Sequence, residues 1–365
     1  MNLEPIVVRM PNWLGDIVMA TSAIEALHRT DRYALHLLIR RPWDELFRHD
    51  PRLESVTVFE DRGVHLFSTA STLRARGYPT VVDFTHSMRS RLLWKLAGIP
   101  VVVRERARMP DDHQVMRYLS VIRPLIGGSP VAPCPPTLFY SDLKSEIVTD
   151  HLLSPRRGER IEVRGVDRGN RNLPPSPQPS PASGGRGGIP EILIFPAAAY
   201  GPAKMWSTSR YVDLLTMLTD RGWSIRLLGT AVDREFLDEL VEKSKIQNPK
   251  SKIEACPGLP LNDLMRLIVH SSAVISCDSG AAHLAAALGK PVLVLFFSTD
   301  PYRTAPVGHA VRVISAAVPC RPCFLRTCPI DYLCRDAVTP HDIDTQLNDI
   351  FDVPAKLNNL RSGPN

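Results

Sequence analysis

The sequence predicts an α/β protein of two doubly wound units, each a parallel sheet with helices on both faces. Three observations predict it. Short apolar strands alternate with amphipathic helices, and that alternation builds parallel sheets. The alternation stops in a Pro-, Ser- and Gly-rich stretch and then begins again. The length of 365 residues accommodates two units at roughly 150 residues each.

The first unit opens with strand Ile6–Arg9 and helix Ile17–Arg29, whose apolar residues recur at helical spacing. Leu35–Ile39 and Val56–Phe59 read as strands, Thr69–Arg76 as a helix and Thr80–Phe84 as a strand. Arg89–Ala97 reads as a helix closed by Gly98 and Pro100. From Ser154 to Gly188 the chain is rich in Arg, Gly, Pro and Ser. Such a stretch cannot bury a core and is expected to be a disordered linker or insertion, with a polybasic contact as the alternative.

The second unit restarts with strand Glu191–Phe195 and helix Thr208–Asp220. Strand Trp223–Leu228 ends at Gly229, and helix Asp233–Lys245 follows. Helix Leu261–Ser271 leads into strand Ala273–Ser276, helix Gly280–Leu288 and strand Pro291–Phe296. Asp342–Phe351 is a last amphipathic helix. The expected division is residues 1–150, a linker at 151–190, a second unit at 191–340, and a terminal helix and tail at 341–365.

Composition narrows the function classes. Hydrophobic residues make up 44% and charged residues 22%, an ordinary globular balance. No apolar run approaches the roughly 20 residues that span a bilayer. Met1–Arg9 lacks a basic stretch followed by an apolar one, so no secretory signal and a cytoplasmic address are expected. Lys and Arg exceed Asp and Glu by 44 to 38. That excess is too small to name nucleic acid as a partner, and it suits an anionic substrate or an anionic membrane face.

Three clusters sit where open α/β sheets hold ligands, at the carboxyl ends of strands. In the first, Asn12-Trp13-Leu14-Gly15-Asp16, Asp16 either caps a helix or faces the cleft. Gly15 would let the backbone approach a ligand closely. In the second, Tyr200-Gly201-Pro202-Ala203-Lys204, a turn presents a cation that could hold a phosphate. No GxxxxGK[ST] phosphate loop occurs. In the third, Cys277-Asp278-Ser279-Gly280-Ala281-Ala282-His283, small residues at a helix start leave backbone N–H groups for an anion. Asp278 alone could be a cap, and His283 alone a structural histidine.

Together these motifs resemble glycosyltransferase family nine, over roughly residues 6–148 and 192–353. The resemblance implies a GT-B fold, two Rossmann-like domains facing a central cleft. It implies inverting transfer of L-glycero-D-manno-heptose from ADP-heptose to heptosyl-Kdo-lipid A, the inner core of lipopolysaccharide, at the cytoplasmic face of the inner membrane. It implies that Asp16 is the general base and that Lys204, with Tyr200 and Gly201, meets the donor diphosphate. Asp278, Ser279, Gly280 and His283 would hold the donor sugar and phosphates, and Gly229 and Asp233 would lie at the adenosine ribose. Asn12, Trp13, Ser87, Arg89 and Arg117 are the expected acceptor contacts, because arginine forks suit an acceptor dense in carboxylate and phosphate; a solvated basic face is the alternative.

The sequence departs from the family at Met205, where arginine is common, and at Ser207, where proline is common. No cofactor or metal is expected. The one DxD, Asp342-Ile343-Asp344, reads as a helix start. Other donors, other acceptor positions within the family, or a non-catalytic ADP-sugar-binding protein are the rival readings. Cys320, Cys323, Cys328 and Cys334 could form a structural zinc site or remain plain thiols.

Overall fold

The computed structural model describes residues 3–59, 65–85, 87–104, 112–127, 135–140, 190–249 and 251–351. The Ser154–Gly188 segment lies outside the described residues.

The first unit carries β1 (Glu4–Arg9), α1 (Leu14–His28), β2 (Tyr33–Ile39), β3 (Leu53–Val58), α2 (His65–Arg76), β4 (Thr80–Asp83), α3 (Met88–Ala97), β5 (Val101–Val103) and α4 (Gln114–Ile122). Its five strands are ordered β3-β2-β1-β4-β5 and are parallel throughout. The strand order reverses between β1 and β4, so the loops after those two strands open a crevice at the carboxyl edge. Ile6, Val7 and Val8 are all buried, as expected of a strand covered on both faces.

The second unit carries β6 (Glu191–Phe195), α5 (Thr208–Asp220), β7 (Ser224–Gly229), α6 (Arg234–Gln247), β8 (Ile253–Pro257), α7 (Leu261–His270), β9 (Ala273–Cys277), α8 (Gly280–Ala287), β10 (Val292–Leu295), α9 (Pro301–Thr304), β11 (Val311–Ile314), α10 (Leu333–Asp336) and α11 (Pro340–Phe351). Its six parallel strands run β11-β10-β9-β6-β7-β8. The terminal helix α11 buries Ile343 and Leu347 in this unit's core and stacks Phe351 near Trp223. It completes the second unit. Asp342 accepts the Thr339 N–H at 2.7 Å, and Arg221 pairs with the buried Asp344, so the DxD serves the helix start.

The strands and helices read from the sequence are present with shifted ends, and β5, α4, β8, α9, β11 and α10 are additions. The two units share one apolar cluster. Ile17, Ile24 and Leu27 of α1 pack in the same cluster as Leu193, Phe195 and Val294 of the second sheet and Ala282 and Ala285 of α8. Helix α1 is buried almost all round, which is how a helix wedged between two layers reads. No helix among the described residues is long and apolar enough to cross a membrane.

Candidate active site

Asp16 lies in the first turn of α1, where the chain leaves β1. The cap position is Trp13, without a side-chain hydrogen bond. Asp16 instead accepts the Tyr118 hydroxyl from α4 at 3.0 Å. The Tyr118 ring is held edge-on by Phe84, with ring centres 5.1 Å apart. Burial pushes the Asp16 carboxyl above its ordinary value; the Tyr118 hydrogen bond, Arg117 and Lys204 pull it partway back. Burial and the Asp16 charge hold the Tyr118 phenol well above its ordinary value, so Tyr118 remains the donor. A carboxylate poised upward in this way suits a general base.

Asp16 opens onto a cavity of about 320 Å³ lined by Asn12, Trp13, Thr85, Ser87, Gln114, Arg117 and Tyr118, among others. Four of the five expected acceptor contacts therefore line one cavity. Arg89 lies on the exposed side of α3, just beyond Ser87, which caps that helix by accepting the Ser90 N–H at 3.1 Å.

The loop between β4 and α3 is fixed by Asp83, a fully buried carboxylate. It accepts Thr85 N–H at 2.9 Å and the Thr85 hydroxyl at 2.7 Å. It also accepts Trp94 Nε1 at 2.8 Å and the Ser90 hydroxyl, and pairs with Arg104 at 2.9 Å. A buried charge is tolerated when it is this fully bonded.

On the facing side, the Gly201 turn presents Lys204. Its Nζ meets Asp278 Oδ2 at 2.5 Å and lies 4.8 Å from the Tyr200 ring centre. Thr299 donates to the same Asp278 oxygen at 2.6 Å. Asp278 is therefore an ion-pair partner here, and no cap. Gly201 has φ +145, and a side chain there would strike the Arg326 carbonyl at 2.6 Å. Arg326 also braces the turn, accepting Ala203 N–H at 3.0 Å and donating Nε to the Tyr200 carbonyl at 2.7 Å.

The two sides touch through glycines. A Cβ on Gly280 would lie 2.8 Å from Leu14 Cβ and 3.1 Å from Gly15 N. A Cβ on Gly15 would lie 3.1 Å from the His283 ring. A side chain at either position would crowd the meeting of α1 and α8, a packing reason that stands beside the ligand approach expected for Gly15. His283 is buried, and burial pushes it down to about 4, so it is neutral near pH 7. Ser279 shares a hydrogen bond with Ser276 at 3.1 Å. Asp233 is turned inward, accepting Thr230 N–H at 2.7 Å and its hydroxyl at 2.6 Å. The same side chain explains Gly229, where a Cβ would lie 2.9 Å from Asp233 Oδ2.

The cysteines give no ligand set: among the described residues, no three His, Cys, Asp or Glu side chains are grouped to hold an ion. Cys334 is buried and Cys320 exposed. Burial, with Cys320, Cys323 and Cys328 nearby, pushes the Cys334 thiol above its ordinary value. Sequence reading missed Tyr118, Gln114, Asp83, Thr299 and Arg326. Apolar spacing at Val115, Tyr118, Leu119 and Ile122 was the available signal for α4.

Two Rossmann-like units that set a carboxylate from the first opposite a lysine from the second define the GT-B class. Residues 165–333, somewhat less than half of the chain, match the model of glycosyltransferase family 9 (heptosyltransferase). It is 33% identical over 125 residues to lipopolysaccharide heptosyltransferase 2 of Escherichia coli K12, a match spanning 34% of this chain and only 36% of that relative. It is 22% identical to lipooligosaccharide heptosyltransferase 2 of Campylobacter jejuni serotype O:2 over 95% of this chain and 98% of the relative. The solved E. coli ADP-heptose lipopolysaccharide heptosyltransferase II shares the fold with a TM-score of 0.70 at 21% identity, covering 95% of this chain and 98% of its own.

Proposed function

We propose that the protein is an inverting, metal-independent glycosyltransferase that moves L-glycero-D-manno-heptose from ADP-heptose onto the heptosyl-Kdo-lipid A inner core. The observation that carries this reading is the close contact of α1 with α8, where a Cβ on Gly280 would lie 2.8 Å from Leu14 Cβ, which brings the Asp16 cavity and the Lys204–Asp278 pair to one junction. The acceptor hydroxyl enters the Trp13–Arg117 cavity and gives its proton to Asp16. Its oxygen then bonds to the anomeric carbon from the side opposite the phosphate. The carbon–oxygen bond to phosphate breaks, and ADP departs with that electron pair. Lys204, exchanging Asp278 for the diphosphate, offsets the charge that develops on the leaving group; Thr299 keeps Asp278 bonded meanwhile. Asp278, Ser279 and His283 border the donor, with Gly280 holding the junction. Asp233 would reach a ribose at Gly229 by releasing Thr230. Names and folds of the relatives support the substrates, and the protein works on the cytoplasmic face of the inner membrane.

The test incubates purified protein with ADP-heptose, with and without heptosyl-Kdo-lipid A. The reading requires ADP release that depends on acceptor, and an acceptor heavier by one heptose. Release of ADP at the same rate without acceptor, or an unchanged acceptor mass, refutes it.

A further inference from the structure

The exposed side of α3 is a stripe with no role in the fold. Ser90, Leu93, Trp94 and Ala97 face inward and are buried. Met88, Arg91, Leu92 and Lys95 fall on the opposite side at i, i+3, i+4 and i+7. All four are exposed, Met88 at 84% and Leu92 at 45%. The stripe begins at the cavity: Ser87, the cap of α3, lines it together with Trp13, which is itself 71% exposed.

Charge completes the pattern. Neither α3 nor α2, which packs beside it, contains Asp or Glu, while they carry arginines and Lys95. Helix α6 of the second unit differs in carrying both signs, with Glu235, Asp238, Glu239 and Glu242 beside Arg234, Lys243 and Lys245. An acid-free cationic and apolar face thus lies beside the cavity. Basic side chains interleaved with exposed apolar ones match an anionic bilayer surface, where the apolar groups enter the interface and the cations meet the headgroups. Tryptophan at the rim suits the same boundary.

We infer that the Met88–Arg91–Leu92–Lys95 face of α3 docks the protein on an anionic lipid bilayer and thereby brings the cavity mouth to the membrane. The inference rests on the membrane-side placement in the proposed function, but its test contains no sugar and no acceptor. Failure here therefore leaves the transferase reading standing, and failure of transfer leaves the docking face standing.

The experiment is co-sedimentation of the full chain with acceptor-free vesicles. One set is phosphatidylcholine alone, and the other is phosphatidylcholine mixed with phosphatidylglycerol. Wild type is expected to pellet with the phosphatidylglycerol vesicles at low salt and to be released at high salt. The double variant Met88→Asp/Leu92→Asp and the single variant Lys95→Glu should each lower partitioning by about tenfold. Ile246→Asp, a similarly exposed apolar site on the mixed-charge helix α6, should bind as wild type does. Thermal melts separate loss of binding from loss of fold, since every substituted side chain is exposed. Unchanged partitioning of the double variant overturns the inference. So does salt-insensitive binding to phosphatidylcholine alone, or an equal loss in Ile246→Asp.

Discussion

Tyr118 is where residue-level chemistry is most exposed to test. Its hydroxyl hydrogen bond favours the charged form of Asp16, so it lowers the carboxyl's pKa against the burial that raises it. Tyr118→Phe removes the bond and lets burial prevail. The acidic limb of the kcat/KM profile should then move to higher pH, with the loss greatest at low pH. A tyrosine that only packs against Phe84 would leave the limb in place, because phenylalanine keeps the ring. Lys204 makes a second case. Lys204→Ala should weaken ADP binding in calorimetry and also destabilise the fold by about 3 kcal/mol or less, because Asp278 stays buried without its cation. Adding Asp278→Asn should restore much of the melting temperature without restoring ADP affinity. Recovery of both together would make Lys204 a structural partner alone.

At the scale of elements, the meeting of α1 and α8 decides whether the two half-sites face each other. Gly280→Ala puts a methyl within 2.8 Å of Leu14 Cβ and 3.1 Å of backbone Gly15 N, and backbone cannot swing aside. The variant should lose about 1–3 kcal/mol in urea unfolding and a larger share of activity than of stability. Stability within a few tenths of wild type would mean that the junction is loose. The same junction shows what the sequence made legible. Small residues at 279–282 read as leaving backbone N–H groups for an anion; that Gly280 also makes room for Leu14, on another unit, no local pattern encodes. Asp16 stood out at a strand end, whereas its partner Tyr118 lies on α4, far along the chain. The buried Asp83 ends an apolar strand, a legible oddity, yet its bonds to Trp94 and Arg104 are tertiary. Asp233 was legible as an acid after a strand, and its actual bond to Thr230 is a local capping choice.

For the molecule as a whole, the alternation of strand and helix predicted two sheets, and all three clusters follow the carboxyl ends of their strands β1, β6 and β9. The Ser154–Gly188 stretch contributes almost no apolar surface. Deleting residues 170–188 should leave transfer intact, since loop-closure entropy changes slowly with length; a folded but inactive deletion would show that the stretch meets acceptor or membrane. Under the proposed mechanism transfer should also survive EDTA, with Lys204 as the positive charge at the leaving diphosphate. Activity lost in EDTA and restored by Mg²⁺ alone would contradict that. The most direct test of the central claim is a single turnover on pre-bound ADP-heptose by Asp16→Asn, with donor affinity and melting temperature measured on the same protein. The account predicts unchanged donor binding, an intact fold and transfer slowed by about 100-fold or more, the loss of a general base. Transfer at near the wild-type rate would contradict it and leave Asp16 a bystander beside Tyr118.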